Sequence, residues 1–421
     1  MSSEQCSMSS LLLPLPTKRL APHCLFFLFF NLVYFLPLLG VVLFNYEEGT
    51  SIAADLDSEV MAKITWIYLL GIVAFVCGSG LNTFLGRMTN RKTEPRGALQ
   101  LFRLSPSFWV LCSVTIAVFA LSKVLLRPLG VYSEYAFDTG SMTGGIWSFS
   151  MFCSESLLFL SIVVLFSNAR HNVLWFLILT GINGINLLHG TRIFFMVAAI
   201  AFCFNLYVRG KLTFRLGILA FCSTLVLGYL VFLSRSHVEV DDQTFSPTRV
   251  ISPVVAESVL SQLSLIGTIK HPEIWSFWGS PPDFFLDALY FVTPRFLLSG
   301  KDELLFINRF GDLSPLGGFS GYAEGLIYFG VFFPLFYFIV GIMVDWLVRH
   351  ARHSQFWSAI YVYFVCDFLF HIMRGYAMSI KMLINGLVIL VFIILLSHAQ
   401  TLLTPSRQVI NTSPQPDNNL G

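Results

Sequence analysis

The sequence predicts an all-α fold, a polytopic transmembrane bundle of about ten spans, and three observations carry that expectation. Of 421 residues, 55% are hydrophobic and only 12% charged, whereas a soluble globular domain carries about 25% charged residues. Ten apolar stretches approach the roughly 20 residues that a helix needs to cross the hydrocarbon. The basic residues between those stretches are distributed so that every connection acquires a side. An ordinary soluble domain is excluded.

In chain order, the first stretch runs from Leu25 to Phe44. Lys18 and Arg19 precede it as in a signal peptide, but the run is long enough to span and has no A-x-A-like cleavage site, so a retained signal anchor is expected. Ile64 to Leu85, Phe108 to Leu126 and Trp147 to Phe166 follow. Val173 to Leu188 and Ile193 to Val208 are short for a crossing. Leu216 to Leu233, Tyr322 to Leu347, Phe356 to Met373 and Met382 to Leu396 complete the set. Residues 1–421 thus read as a single integral membrane domain, and the Pro, Asn and Ser of 404–421 as a disordered cytoplasmic tail. The 8 cysteines are scattered, mostly in apolar runs and without a C-x-x-C pair, so they read as small buried hydrophobes.

Orientation follows from basicity. With the N-terminus inside, the cytoplasmic connections hold Lys18 and Arg19, then Arg87, Arg91, Lys92, Arg96 and Arg103, then Arg170, then Arg209, Lys211 and Arg215, then Arg349 and Arg352. The connection after the first span carries Glu47, Glu48, Asp55, Asp57 and Glu59 instead. Both termini therefore fall in the cytoplasm.

That topology leaves Arg192, Arg235, Arg249, Arg295, Lys301, Arg309 and Arg374 outside, against the general bias. The external (periplasmic) loop 235–321, about 85 residues, is far longer than an ordinary connection. Its pieces VLSQLSLIGTI and DFFLDALYFV are too short to span and suited to lie in the membrane interface, so the loop reads as a partly helical cap over a site.

Polar residues at membrane depth give the next signal. Tyr363, Asp367, His371 and Arg374 recur at spacings of four, four and three, which places them on one helical face climbing to the external end. Such groups usually face the bundle interior or a cavity, although Asp367 paired with His371 or Arg374 would also serve to lock helices. Asn183 and Asn186, among Gly181, Gly184 and Gly190, fit close helix packing. The stretch from Thr293 to Pro334 adds Arg295 and Lys301, then Gly317, Gly318 and Gly321, then one acid, Glu324, where a long apolar helix is expected to start. Free N–H groups and the helix dipole at such a start favour an anionic headgroup. A capped helix start explains the same residues structurally.

The order of these motifs resembles the O-antigen and oligosaccharide repeat-unit polymerases of bacterial envelopes. G-T-R (Gly190 to Arg192) lies in a hairpin, and T-P-R-F-L-L-S-G-K (Thr293 to Lys301) in a long external loop. S-P-L-G-G-F-S-G-Y-A-E-G-L-I-Y-F-G (Ser314 to Gly330) then enters a span, and R-G (Arg374, Gly375) tops the next outward one. The resemblance extends from about Gly181 to Ile384, and the first four spans match in topology alone. It implies a glycosyltransferase C-like bundle in the bacterial inner membrane, extending a glycan on undecaprenyl diphosphate with repeat units on the same carrier. A chain-length regulator and a flippase of the same pathway are the implied partners, with no nucleic acid. No cofactor or metal is expected, since the one D-x-D spacing, Asp55 and Asp57, reads as ordinary acidic decoration.

Glycosyl transfer from a diphosphate builds negative charge on the leaving group, which fixed guanidinium groups stabilise without a metal. Arg192, Arg235, Arg295, Lys301 and Arg374 are the expected diphosphate-binding cations. Arg249 and Arg309 read as ordinary loop charges. Glu324 is the expected base or orienting group for the acceptor hydroxyl, with His237 or His371 as alternatives and Asp367 beside them. An O-antigen ligase shares this architecture and differs in its acceptor. A lipid-linked glycan flippase would instead spread polar groups through both leaflets, often in repeated halves. A noncatalytic partner of a polymer exporter is the remaining class.

Overall fold

The computed structural model describes residues 12–14, 21–44, 56–88, 98–126, 142–188, 193–213, 215–217, 262–293, 297–298, 300–313 and 319–403. They are mostly helical. The principal elements are α1 (Pro22–Phe44), α2 (Ser58–Met88), α3 (Pro106–Leu126), α4 (Met142–Leu165), α5 (Asn172–Asn183), α6 (Ile193–Val208), α7 (Pro281–Val292), α8 (Gly321–Phe329), α9 (Phe333–Ala351), α10 (Gln355–Tyr363) and α11 (Tyr376–Leu403). Among the described residues four stretches are long and apolar enough to cross a membrane: Pro22–Gly40, Ser58–Leu81, Pro106–Leu126 and Gly321–Ala351. Shorter apolar helices cover Phe149–Leu165, Asn172–Leu187, Ile193–Val208 and Ser379–Ile393. The expected span Leu216 to Leu233 lies beyond Gly217 outside the described residues, as does the tail 404–421.

Local chemistry accounts for the helix starts. Asp57 Oδ1 accepts the Val60 N–H at 2.7 Å, and Ser105 Oγ accepts that of Phe108 at 3.3 Å, each satisfying a donor that the helix leaves over. Asp57 is thus employed as the α2 cap. The outer surface of the bundle exposes Trp66, Val73, Val110, Val124, Leu335, Ile339 and Phe392, an apolar belt of the kind that lipid covers. Inside, α2 and α9 cross closely because glycines face each other's backbones: a Cβ on Gly78 would lie 2.1 Å from Phe338 O, and one on Gly341 would lie 2.3 Å from Phe75 O.

Two ends of the bundle can be told apart. At one end a small ribbon pairs β1 (Leu12–Pro14) with β2 (Ala98–Gln100) antiparallel, a departure from the all-α expectation. Phe102 bridges to Ser167, and Arg103 N donates to the Gln355 side chain at 3.3 Å at this end. At the other end α7 packs on α8 and on the start of α11.

Three expectations are corrected. The eighth stretch is no continuous helix: Gly330, at φ 55° and ψ −135°, ends α8, and a short 3-10 turn over Gly330–Phe332 precedes α9. The break is sealed by the segment that holds Phe277, since Val331 N donates to Phe277 O at 3.1 Å and a Cβ on Gly330 would lie 2.2 Å from that oxygen. Secondly, the ninth stretch is not one uniform α-helical face. A π-helical turn, Phe364–Phe368, interrupts it and shifts its phase, so Tyr363 Oη donates to Met382 O at 3.2 Å, and helix ends at His371 before reaching Arg374. Thirdly, the helical residues 262–270 are packed within the protein instead of presenting an open apolar face. Gln262, Ser264, Leu265 and Thr268 are wholly buried, whereas α7 does show its apolar side, with Phe285, Leu286 and Leu289 exposed.

Candidate active site

The start of α8 is fixed by polar contacts from several elements. Ser320 is the N-cap, its Oγ accepting the Tyr322 N–H at 3.3 Å. Ser320 N in turn donates to Ser264 Oγ at 2.8 Å, and Ser320 Oγ to Gln262 Oε1 at 3.3 Å. Gln262 Oε1 also accepts from Tyr68 Oη of α2 at 2.9 Å, while Tyr322 Oη donates to Asn31 Oδ1 of α1 at 2.5 Å. Groups buried at this depth are costly unless bonded, so the polar pattern specifies where α8 begins.

Against this start packs the turn between His371 and Tyr376. Gly321 N donates to Met373 O at 3.1 Å, and a Cβ on Gly321 would lie 1.8 Å from Ile372 O, so only glycine permits the approach. One α-helical turn further, Glu324 is 4% exposed and its Oε2 accepts the Tyr376 N–H at 2.5 Å. Gly375, at φ 142°, completes the fit, because a Cβ there would stand 2.7 Å from Glu324 Oε1. Arg374, half-buried, is the residue before it, with its N–H on His371 O at 2.7 Å. α7 closes the side: Asp287 accepts from Tyr328 Oη of α8, and its Oδ1 accepts the Phe306 N–H at 2.6 Å.

The structure therefore brings Glu324 and the Arg374 turn to one junction and shows Glu324 employed there as a cap on α11. Asp367 and His371 lie on the segment leading into the turn, 0% and 1% exposed, with His371 Nδ1 3.2 Å from Asp367 Oδ1. Of the two locking pairs weighed above, Asp367 with His371 is the one observed. Lys301 opens a one-turn helix, Lys301–Leu304, and its side chain lies outside the described residues. Arg192, Arg235, His237, Arg249 and Arg295 lie outside them too. Arg309 stands over the Phe306 ring, 4.3 Å from its centroid, an ordinary surface cation–π contact.

Asn183 and Asn186 serve helix packing as expected: their Nδ2 groups donate to Ser154 O at 3.0 Å and Ser154 Oγ at 2.9 Å, joining α5 and its continuation to α4. Next to Ser154, Glu155 accepts from Asn385 Nδ2 of α11 and is 3% exposed. Lys381, Asp367 and His371 are the charged neighbours of its carboxylate. Sequence reasoning passed over Glu155, Lys381 and Asn385. The signals were an acid within an apolar run and a Lys and Asn four residues apart on one helical face.

No protein-family model, no curated protein and no solved structure matches this chain.

Proposed function

We propose that the chain is a multi-pass glycosyltransferase of the bacterial inner membrane that joins oligosaccharide repeat units carried on undecaprenyl diphosphate, at the external face and without a metal. The observation that carries this reading is the junction itself. The glycine-rich helix start at Ser320–Glu324 and the Arg374–Gly375 turn, far apart in sequence, meet through the Gly321 N–H on Met373 O and the Glu324 carboxylate on the Tyr376 N–H.

The roles follow from the chemistry. Arg374, permanently charged and forked, stabilises the diphosphate as the glycosidic bond breaks, joined by the external cations Arg192, Arg235, Arg295 and Lys301. Glu324, whose carboxylate holds the Tyr376 N–H beside the Arg374 turn, is assigned to orient the acceptor hydroxyl.

The ten-span topology belongs to the same proposal. Its support is the end-to-end segregation of contacts. The segment before the first span pairs with the one between the second and third, and Phe102 with Ser167 and Arg103 with Gln355 join the same end. The 262–320 pieces and the Arg374 turn gather at the other, through Ser264 on Ser320 and Gly321 on Met373. The broken α8–α9 helix adds irregular backbone whose Val331 N–H is satisfied by Phe277 O, the circumstance in which membranes tolerate it.

The test is direct: purified protein incubated with an undecaprenyl-diphosphate-linked repeat unit should yield products lengthened by whole repeats, with release of undecaprenyl diphosphate. Transfer to a lipid A core without lengthening would assign the chain to the ligases instead.

A further inference from the structure

Below the external junction, three segments deliver charge into the interior. α4 supplies Glu155, the segment after α10 supplies Asp367 and His371, and α11 supplies Lys381 together with Asn385, which bonds Glu155. Glu155, Asp367 and His371 are 3%, 0% and 1% exposed. The neighbouring elements add Tyr363, Cys366 and, from α6, Cys203, all ordinarily uncharged at neutral pH.

The cluster is incompletely satisfied. His371 Nδ1 lies 2.9 Å from the Asp367 main-chain oxygen, which can only accept, so that nitrogen carries a hydrogen. Its distance of 3.2 Å to Asp367 Oδ1 makes an electrostatic contact without hydrogen-bond geometry. His371 Nε2 is buried with no hydrogen-bond partner, and the Asp367 carboxylate, with only the Tyr363 hydroxyl beside it, makes no hydrogen bond of full geometry. The one ammonium, Lys381, is half-buried and stands 5.7 Å from the Phe291 ring centroid, so the two buried carboxylates keep at least one uncompensated negative charge, and burying an unbalanced charge is more costly than protonating the group that bears it. Among the described residues no group of three or more His, Cys, Asp or Glu is placed to hold a metal ion.

From the burial, the unpartnered atoms and the charge imbalance, we infer that Glu155, Asp367 and His371, with Lys381 and Asn385, form an intramembrane proton-binding site that holds one proton among them at neutral pH. The site is independent of the glycan chemistry: ionisable groups at membrane depth mark proton sites in many kinds of membrane protein.

Proton counting tests it. The full-length chain in detergent, weakly buffered, is titrated with an indicator dye from neutral pH to the alkaline limit of its folded range. A Glu155→Gln, Asp367→Asn, His371→Gln variant should release one proton fewer per chain than wild type. Lys381→Met loses the ammonium proton and gains one on the second carboxylate, so it should release one proton more than wild type over the range in which the wild-type ammonium stays charged. If the triple variant does not elute as a folded species, Lys381→Met decides alone. Titrations of both variants that superimpose on wild type overturn the inference. So does a wild-type titration displaced when choline is exchanged for sodium, since a metal cation would then be the occupant.

Discussion

The Glu324 carboxylate accepts the Tyr376 backbone N–H at 2.5 Å across 52 residues of chain. This one contact ties the first turn of α8 to the first N–H of α11 and holds the Arg374 turn between them. It gives Glu324 a structural task whether or not it also orients an acceptor, and the two tasks respond differently to substitution.

Glu324→Gln keeps a side-chain carbonyl for the Tyr376 N–H and loses the charge, which at a helix start is worth about 0.3–1 kcal/mol. The folded protein should therefore survive at nearly normal stability. Transfer from a lipid-linked repeat unit should nevertheless fall by about 10²- to 10⁴-fold if the carboxylate orients or deprotonates the acceptor. A variant retaining more than about a tenth of the wild-type rate lies outside that range and moves the role to His237 or His371.

Gly375→Ala asks more of the fold. Its φ of 142° and the 2.7 Å from a Cβ to Glu324 Oε1 leave no room for a side chain. A loss of about 1–3 kcal/mol is expected from backbone strain, read as a lowered unfolding temperature in detergent. An unchanged transition would mean that the Arg374 turn is not held as described.

Sidedness is open to labelling at two exposed positions, Glu273 in the segment proposed as external and His353 at the opposite end of the bundle. In a background without other reactive cysteines, Glu273→Cys should react with a membrane-impermeant maleimide in intact spheroplasts and His353→Cys only after lysis. The reverse pattern would invert the bundle and remove every external role assigned above.

The helices were legible because hydropathy reports length and apolarity directly: α1, α2 and α3 fall where Leu25–Phe44, Ile64–Leu85 and Phe108–Leu126 were expected. The break at Gly330 was not, since a glycine within an apolar run leaves hydropathy unchanged and only the carbonyl of Phe277 explains it. The π-helical turn at Phe364–Phe368 was equally hidden, because residue spacing assumes a uniform helix. At the site, Glu324 and Arg374 were readable as isolated ionisable residues near span ends. That Glu324 would close on the Tyr376 N–H was not, for it depends on the fit of Gly321 and Gly375 between two distant segments.

The most direct measurement is a gel of surface polysaccharide from a bacterium deleted for this chain and complemented with wild type or Arg374→Lys, the variant that keeps the charge but loses the fork. The deletion should leave cores capped by a single repeat unit. Wild type should restore the ladder, and Arg374→Lys, present in the membrane at equal amount, should not. An unchanged ladder in the deletion, or lipid A cores bearing no repeat at all, would contradict polymerisation as the function of this protein.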